Sequence, residues 1–162
     1  MRLLKHLFAP SARKLFPAEC LEEITRAIAT AERRHHGEIC FAVEASLPAR
    51  AVLAGVDPAT RARQVFGELG VWDTELNSGV LVYLLLADHR IEIVADRGYR
   101  GRVDDAQWRG ACDAIAAGLR EGEPKAGILR AVEMISAHME RHFPRTEGVH
   151  DEDELPNRPH FL

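Results

Sequence analysis

The run Val80-Leu81-Val82-Tyr83-Leu84-Leu85-Leu86-Ala87 is the feature that most limits how this chain folds. Eight apolar or aromatic residues without a polar break do not suit a sheet surface, where alternate side chains would meet water. They also fall far short of the ~18–20 residues that a membrane-spanning helix requires. Bounded by Asn77-Ser78-Gly79 and by Asp88-His89, the run reads as a central strand covered on both faces. Ala87-Asp88-His89-Arg90 is then a tight turn into a second strand, Ile91 to Ala95, so the two strands form an antiparallel hairpin.

A strand covered on both faces needs neighbours and two layers of helix. Glu38-Ile39-Cys40-Phe41-Ala42-Val43-Glu44 alternates with period two, placing Ile39, Phe41 and Val43 on one face and Glu38, Cys40, Ala42 and Glu44 on the other. Before it, Pro17 opens a helix whose apolar face is Leu21, Ile24, Ile28 and Ala31. That helix ends at His36-Gly37, where His35 and His36 would meet the negative end of the helix dipole. Residues 47–56 contain Pro48 and Gly55 and read as a loop; Asp57-Pro58 then gives an N-cap and first-turn proline for a helix reaching Leu69. Asp104 and Gln107 have capping-box spacing at the start of a helix to about Leu119. A last helix runs from Pro124 to Phe143-Pro144.

The order of elements predicts an α/β three-layer sandwich, with a small mixed β-sheet carrying helices on both faces. At 162 residues and 46% hydrophobic content, one domain over 17–144 suffices, with a basic segment at 1–16 and an acidic, disordered tail at 145–162. A net charge of -4 leaves no basic surplus to neutralise a phosphate backbone, so nucleic acid is not an expected partner. Cys20, Cys40 and Cys112 are too scattered for a disulfide framework and read as reduced, buried thiols.

In residues 1–16, Lys5 and His6 interrupt the apolar run too early for a secretion signal. Without a signal or a spanning segment, a cytoplasmic location is expected. Leu3, Leu4, Leu7 and Phe8 nevertheless fall at helical spacing among Arg2, Lys5, Arg13 and Lys14. Such a helix either touches anionic lipid as a peripheral contact or docks on its own domain.

Trp72, the stretch Asn77-Ser78-Gly79-Val80-Leu81, the turn Ala87-Asp88-His89-Arg90 and the loop Asp96-Arg97-Gly98-Tyr99-Arg100-Gly101 before Asp104 occur in an order that resembles the TPM-domain family, also called TPM phosphatases. The resemblance covers about residues 18–143 and implies an α/β sandwich. It also implies acid phosphatase activity in some members, calcium binding in others, and a part in membrane-associated repair or assembly. Where the family pattern has a doubled asparagine and a Gly-Tyr-Gly-like loop, this chain has Asn77-Ser78 and a loop enlarged by Asp96, Arg97 and Arg100.

In chemical terms, Asp96 closes one strand and Asp104 with Asp105 opens the next helix, so three carboxylates could converge across the loop. Asp73, Glu75 and Asn77 add oxygen donors before the central strand. Ca²⁺, or Mg²⁺, is the cofactor these residue types would suit. The plainer reading has Asp104 capping its helix and Asp96 pairing with Arg97 or Arg100. Gly98, Tyr99 and Gly101 shape the loop, and Arg90, Arg97, Arg100 and Arg102 could hold phosphate. No HxGxRHG, CxxxxxR or DxDxT motif is present. The expectation is therefore an accessory domain acting through a protein partner, with a metal-dependent acid phosphatase as the alternative. His138 and His142, four apart, read as solvent-facing helix residues. Arg90 and Glu92 share a strand face and form either a solvated surface or an ion pair.

Overall fold

A computed structural model describes residues 1–145 and 154–162. In chain order the elements are α1 (Arg2–Leu7), α2 (Ala12–Leu15), α3 (Ala18–Ala31), β1 (Glu38–Glu44), α4 (Ala49–Leu53), α5 (Pro58–Glu68), β2 (Gly79–Leu85), β3 (Arg90–Ala95), α6 (Asp105–Arg120), α7 (Pro124–His142) and β4 (His160–Phe161). Short 3-10 turns lie at Glu32–Arg34 and Arg97–Tyr99.

The unbroken apolar run becomes β2 and sits inside a sheet of order β3-β2-β1-β4. It pairs parallel with β1, placing Ile39 beside Val80 and Val43 beside Leu84, and antiparallel with β3, placing Leu84 beside Ile91. The two-residue repeat of a strand explains why the run must be apolar throughout. Val80, Val82 and Leu84 enter the core beneath α3, α6 and α7, while Leu81, Tyr83 and Leu85 enter a second core with Val52, Ala62 and Val65 of α4 and α5. The helix–sheet–helix sandwich is thus built as the pattern predicts.

α5 and α6 start where their caps demand. Asp57 Oδ1 accepts the Thr60 N–H at 3.0 Å, with Pro58 in the first turn. Asp104 Oδ1 accepts from Gln107 N–H at 2.9 Å, while Gln107 Oε1 accepts from Asp104 N–H at 3.0 Å. Each cap satisfies backbone donors that the first helical turn leaves without partners.

Several expectations are corrected. Residues 47–56 are not all loop: Ala49–Leu53 forms α4, because Pro48 holds an extended N-cap backbone and Val52 finds a buried seat against the second core. Both faces of β1 are covered: all seven residues are buried, Glu38 and Glu44 included. Glu44 is tolerated there because Arg61 donates from Nε to Oε2 at 2.9 Å and the Tyr83 hydroxyl donates to the same oxygen. Burial and the bond to Glu44 hold the Tyr83 phenol far above the ordinary tyrosine range.

His35 is fully buried, and its Nδ1 lies 3.0 Å from Gly37 O. The tail expected to be disordered over 145–162 is ordered at 154–162, where Leu155 is buried and β4 joins the outer edge of β1, with Ala42 beside His160 and Val43 beside Phe161. Pairing satisfies edge donors and acceptors that β1 would otherwise present to water, a gain that a composition-based reading omits. The remainder of that expectation, residues 146–153, lies outside the described residues. No helix among the described residues is long and apolar enough to cross a membrane.

Candidate functional site

Two connections meet at the end of the sheet where β2 begins and β3 ends: residues 70–78 and residues 96–104. Asn77 holds them together. It adopts a left-handed backbone, φ 53°, which asparagine tolerates better than most residues. Its carbonyl accepts the Gly98 N–H at 3.0 Å and its side-chain Oδ1 accepts from Arg97 Nε at 2.7 Å. Gly98 is required by closeness: a Cβ there would stand 2.4 Å from Asn77 O and 2.9 Å from the Phe143 ring. Gly101 is required by conformation, with φ +72°.

Beneath this clasp lies a buried polar floor. The Tyr99 hydroxyl donates to Ser78 O at 2.9 Å, Ser78 Oγ donates to His36 O at 2.8 Å, and Thr74 Oγ1 accepts from Ser78 N–H at 2.9 Å. The Tyr99 ring stands edge-on to Trp108 and Phe143, with centroids 5.4 and 5.0 Å apart. Burial first, then the charges of Asp96 and Glu38, hold its phenol far above the ordinary range. Tyr99 is therefore a hydrogen-bond donor in the floor, and it stays neutral at physiological pH.

The candidate ligands part company here. Asp96 Oδ1 caps the 3-10 turn through the Arg97 N–H at 2.7 Å, while its Oδ2 is buried with no hydrogen-bond partner among the described residues. Asp105 lies across a cleft of about 270 Å³ lined also by Asp96, Arg97, Tyr99, Arg100 and Trp108. Asp104 is committed to its capping box. Asp73 is exposed on a turn closed by its N–H to Gly70 O at 2.9 Å. Arg90 sits at the far end of β3, ion-paired with Glu92 at 3.1 Å.

Among the described residues, no three His, Cys, Asp or Glu side chains gather closely enough to hold a metal ion. Ca²⁺ takes ~6–8 oxygens, so Asp96, Asp104, Asp105 and Asp73 do not fit a preformed cage. What fits is narrower: Asp96 and Asp105 line one cleft, and Asp96 carries one oxygen without a hydrogen-bond partner.

Sequence reasoning missed the groove beside this cleft. The outer edge of β3 has no strand partner among the described residues, and α6 runs alongside it. Between them lies a volume of about 580 Å³ lined by Arg90, Ile91, Glu92, Ile93, Trp108, Arg109 and Cys112. Trp108 and Asp105 belong to both hollows, which makes them one continuous trough. The signal available in the sequence was Trp108, one turn after the Asp104 cap, the one aromatic residue on a helix whose other core residues are aliphatic or glycine. Burial raises the Cys112 thiol to about 11, so it is a neutral wall of the groove and a poor nucleophile. His138 is half-buried edge-on to Trp108 at 5.7 Å, and burial lowers its pKa; the solvent-facing expectation is corrected by that contact.

The family model described as TPM domain matches residues 12–138. The BA42 protein of the psychrophilic bacterium Bizionia argentinensis, solved by NMR, is similar at 29% identity and a TM-score of 0.80, covering 94% of this chain and 99% of that one. The N-terminal domain of a P. gingivalis protein is similar in fold at 17% identity and a TM-score of 0.60, covering 82% and 83% of the two chains. That of a Corynebacterium glutamicum protein is similar in fold at 16% identity and a TM-score of 0.56, covering 83% of each. No curated protein matches the sequence.

Proposed function

Because the chain belongs to the TPM-domain family, we propose that it is an accessory interaction domain that receives an extended segment of a partner protein along the open edge of β3. The observation that carries this reading is the edge itself: a six-residue strand paired, among the described residues, on one side only, with the trough between it and α6 beside it. An added strand gains affinity from main-chain hydrogen bonds and specificity from alternate side chains. On the α6 side the incoming residues would meet Trp108, Ile93 and Cys112, so they should be apolar. Away from α6 they would adjoin the Arg90–Glu92 pair, which also borders the hollow shared with Arg2 and Asp57, so they should be charged or polar there. The partner segment is thus a period-two peptide.

The test selects ten-residue peptides on the full chain from a random library, then maps the winners by NMR. Enrichment of alternating apolar and charged sequences that shift the amides of residues 90–95 and 105–113 supports the reading. Winners that bind elsewhere, or no enrichment at all, refute it.

A second reading is kept by one observation: Arg97 and Arg100 line the same cleft as Asp96 and its unpartnered oxygen. That combination suits a phosphate ester held by arginines, with a divalent cation at Asp96 and Asp105 completed by solvent. Hydrolysis of p-nitrophenyl phosphate with Ca²⁺ or Mg²⁺ that disappears in Asp96→Asn would favour the phosphatase. Calcium titration by calorimetry isolates the cation part, which fails if millimolar Ca²⁺ gives no heat that Asp96→Asn removes.

A further inference from the structure

α1 docks on the domain through Leu3, which packs against the second core, and through two polar side chains. Arg2 and His6, four apart and so on one helix face, both reach Asp88 of the β2–β3 turn: Arg2 Nη2 at 2.7 Å and His6 Nε2 at 3.2 Å. The other ring nitrogen of His6, Nδ1, accepts the Leu47 N–H at 3.0 Å, and His6 is buried. This anchoring fixes the rotation of the helix and turns Leu4, Leu7 and Phe8 outward. Leu4 is 54% exposed, Leu7 63% and Phe8 82%; Met1 is fully exposed, and Leu53 of the adjacent α4 is 75% exposed. These are five of the nine exposed large hydrophobic residues among those described, gathered at one corner.

A soluble helix normally hides such a face. Here the arrangement is inverted, and the cost of leaving it in water calls for an occupant.

The charge of the corner indicates which occupant. Lys5 and Arg50 are exposed on α1 and α4, and residues 1–18 and 45–56 contain no Asp or Glu, although the whole chain carries a net charge of -4. The acids closest to the inner side of α1, Asp57, Asp88 and Glu92, lie in a hollow shared with Arg2 and Arg90. The exposed apolar residues line neither the β3–α6 trough nor the hollow beneath Arg2, and their side chains face outward. An exposed apolar patch with a cationic rim matches the interfacial zone of an anionic bilayer, where shape complementarity is unnecessary.

We infer that the α1–α4 corner is a peripheral membrane-binding surface, with Met1, Leu4, Leu7, Phe8 and Leu53 entering the headgroup boundary of an anionic lipid bilayer. Binding is reversible and modest, because the buried apolar area is small and the basic charges are few. Its five apolar residues take no part in the β3–α6 trough.

The experiment is co-sedimentation of the full chain with vesicles of phosphatidylcholine, alone and with one part in three phosphatidylserine. The wild type should bind the anionic vesicles at least tenfold better than the neutral ones, and 0.5 M NaCl should reduce that binding severalfold. A Leu4→Ser, Leu7→Ser, Phe8→Ser variant alters only exposed side chains, so its circular dichroism should match the wild type while its vesicle binding falls at least tenfold. Phe8→Trp should become quenchable by brominated lipid. No binding of the wild type to anionic vesicles overturns the inference, and so does binding that survives the triple substitution. Sedimentation velocity without lipid is the remaining arm: a wild-type dimer that the triple variant abolishes would assign the patch to a second copy instead.

Discussion

Acid should unfold this protein largely through one buried imidazole. His35 is fully buried and its pKa is lowered from 6.5 to about 4, first by burial and then by the charges of Arg34, Arg145 and His36, against the opposing bond to Gly37 O. A depressed folded-state value means the unfolded chain binds the proton more readily, so stability is complete above pH 6.5 and falls as pH drops toward 4. Every tenfold difference in proton affinity between the folded and unfolded chain is worth ~1.36 kcal/mol, which makes the His35 share about 2.5 kcal/mol between pH 7.5 and 4.5. For a chain of this size that corresponds to about 5–10 °C in Tm.

The assay is urea denaturation at both pH values for the wild type and for His35→Gln. His138 and His160 also have lowered pKa values and add their own slope, so the informative quantity is the difference between the two proteins. The wild type should lose about 2.5 kcal/mol more than His35→Gln over that interval. Equal losses would refute the reasoning. An NMR titration of the wild-type imidazole resonances checks the same point without a variant, and a His35 midpoint near 6.5 would refute it too.

Other outcomes follow from single contacts. Gly98→Ala should shift the Asn77–Gly98 clasp, because its Cβ would meet a backbone oxygen at 2.4 Å; a loss of about 2 kcal/mol by thermal melting, with NMR shifts concentrated at residues 74–78 and 96–101, is expected. Tyr99→Phe removes one buried hydrogen bond to Ser78 O, which still accepts from Glu38 N–H at 3.3 Å, so the cost should be only about 1 kcal/mol in urea. Arg61→Leu leaves the Glu44 carboxylate buried beside Tyr83 and should cost about 3 kcal/mol, part of which Glu44→Gln restores in the double variant; a double variant no more stable than Arg61→Leu alone would refute the pairing account.

Much of the architecture was legible because it is encoded over short distances. The apolar run of β2 required two covering layers, and the hairpin followed from the turn that ends it. Asp57-Pro58 and the Asp104–Gln107 box marked two helix starts through bonds spanning three residues. The Asp96–Gly101 loop was legible as a distinct feature, yet its chemistry was not. Whether Asp96 and Asp104 point together depends on which backbone donors capture their oxygens, and Asp104 is captured by its own helix while one oxygen of Asp96 is not.

What the sequence settled by itself, then, is the sandwich, the central position of β2 and the caps, since periodicity and local hydrogen bonding act between near neighbours. The tertiary structure alone decided the rest. Asp88, 86 residues from Arg2, fixes the rotation of α1 and turns Leu4, Leu7 and Phe8 outward. The C-terminal residues His160 and Phe161 close the edge of β1, while β3 is left open beside Trp108 and α6. Contacts between distant segments are set by how whole elements pack, and spacing along the chain carries almost no record of that.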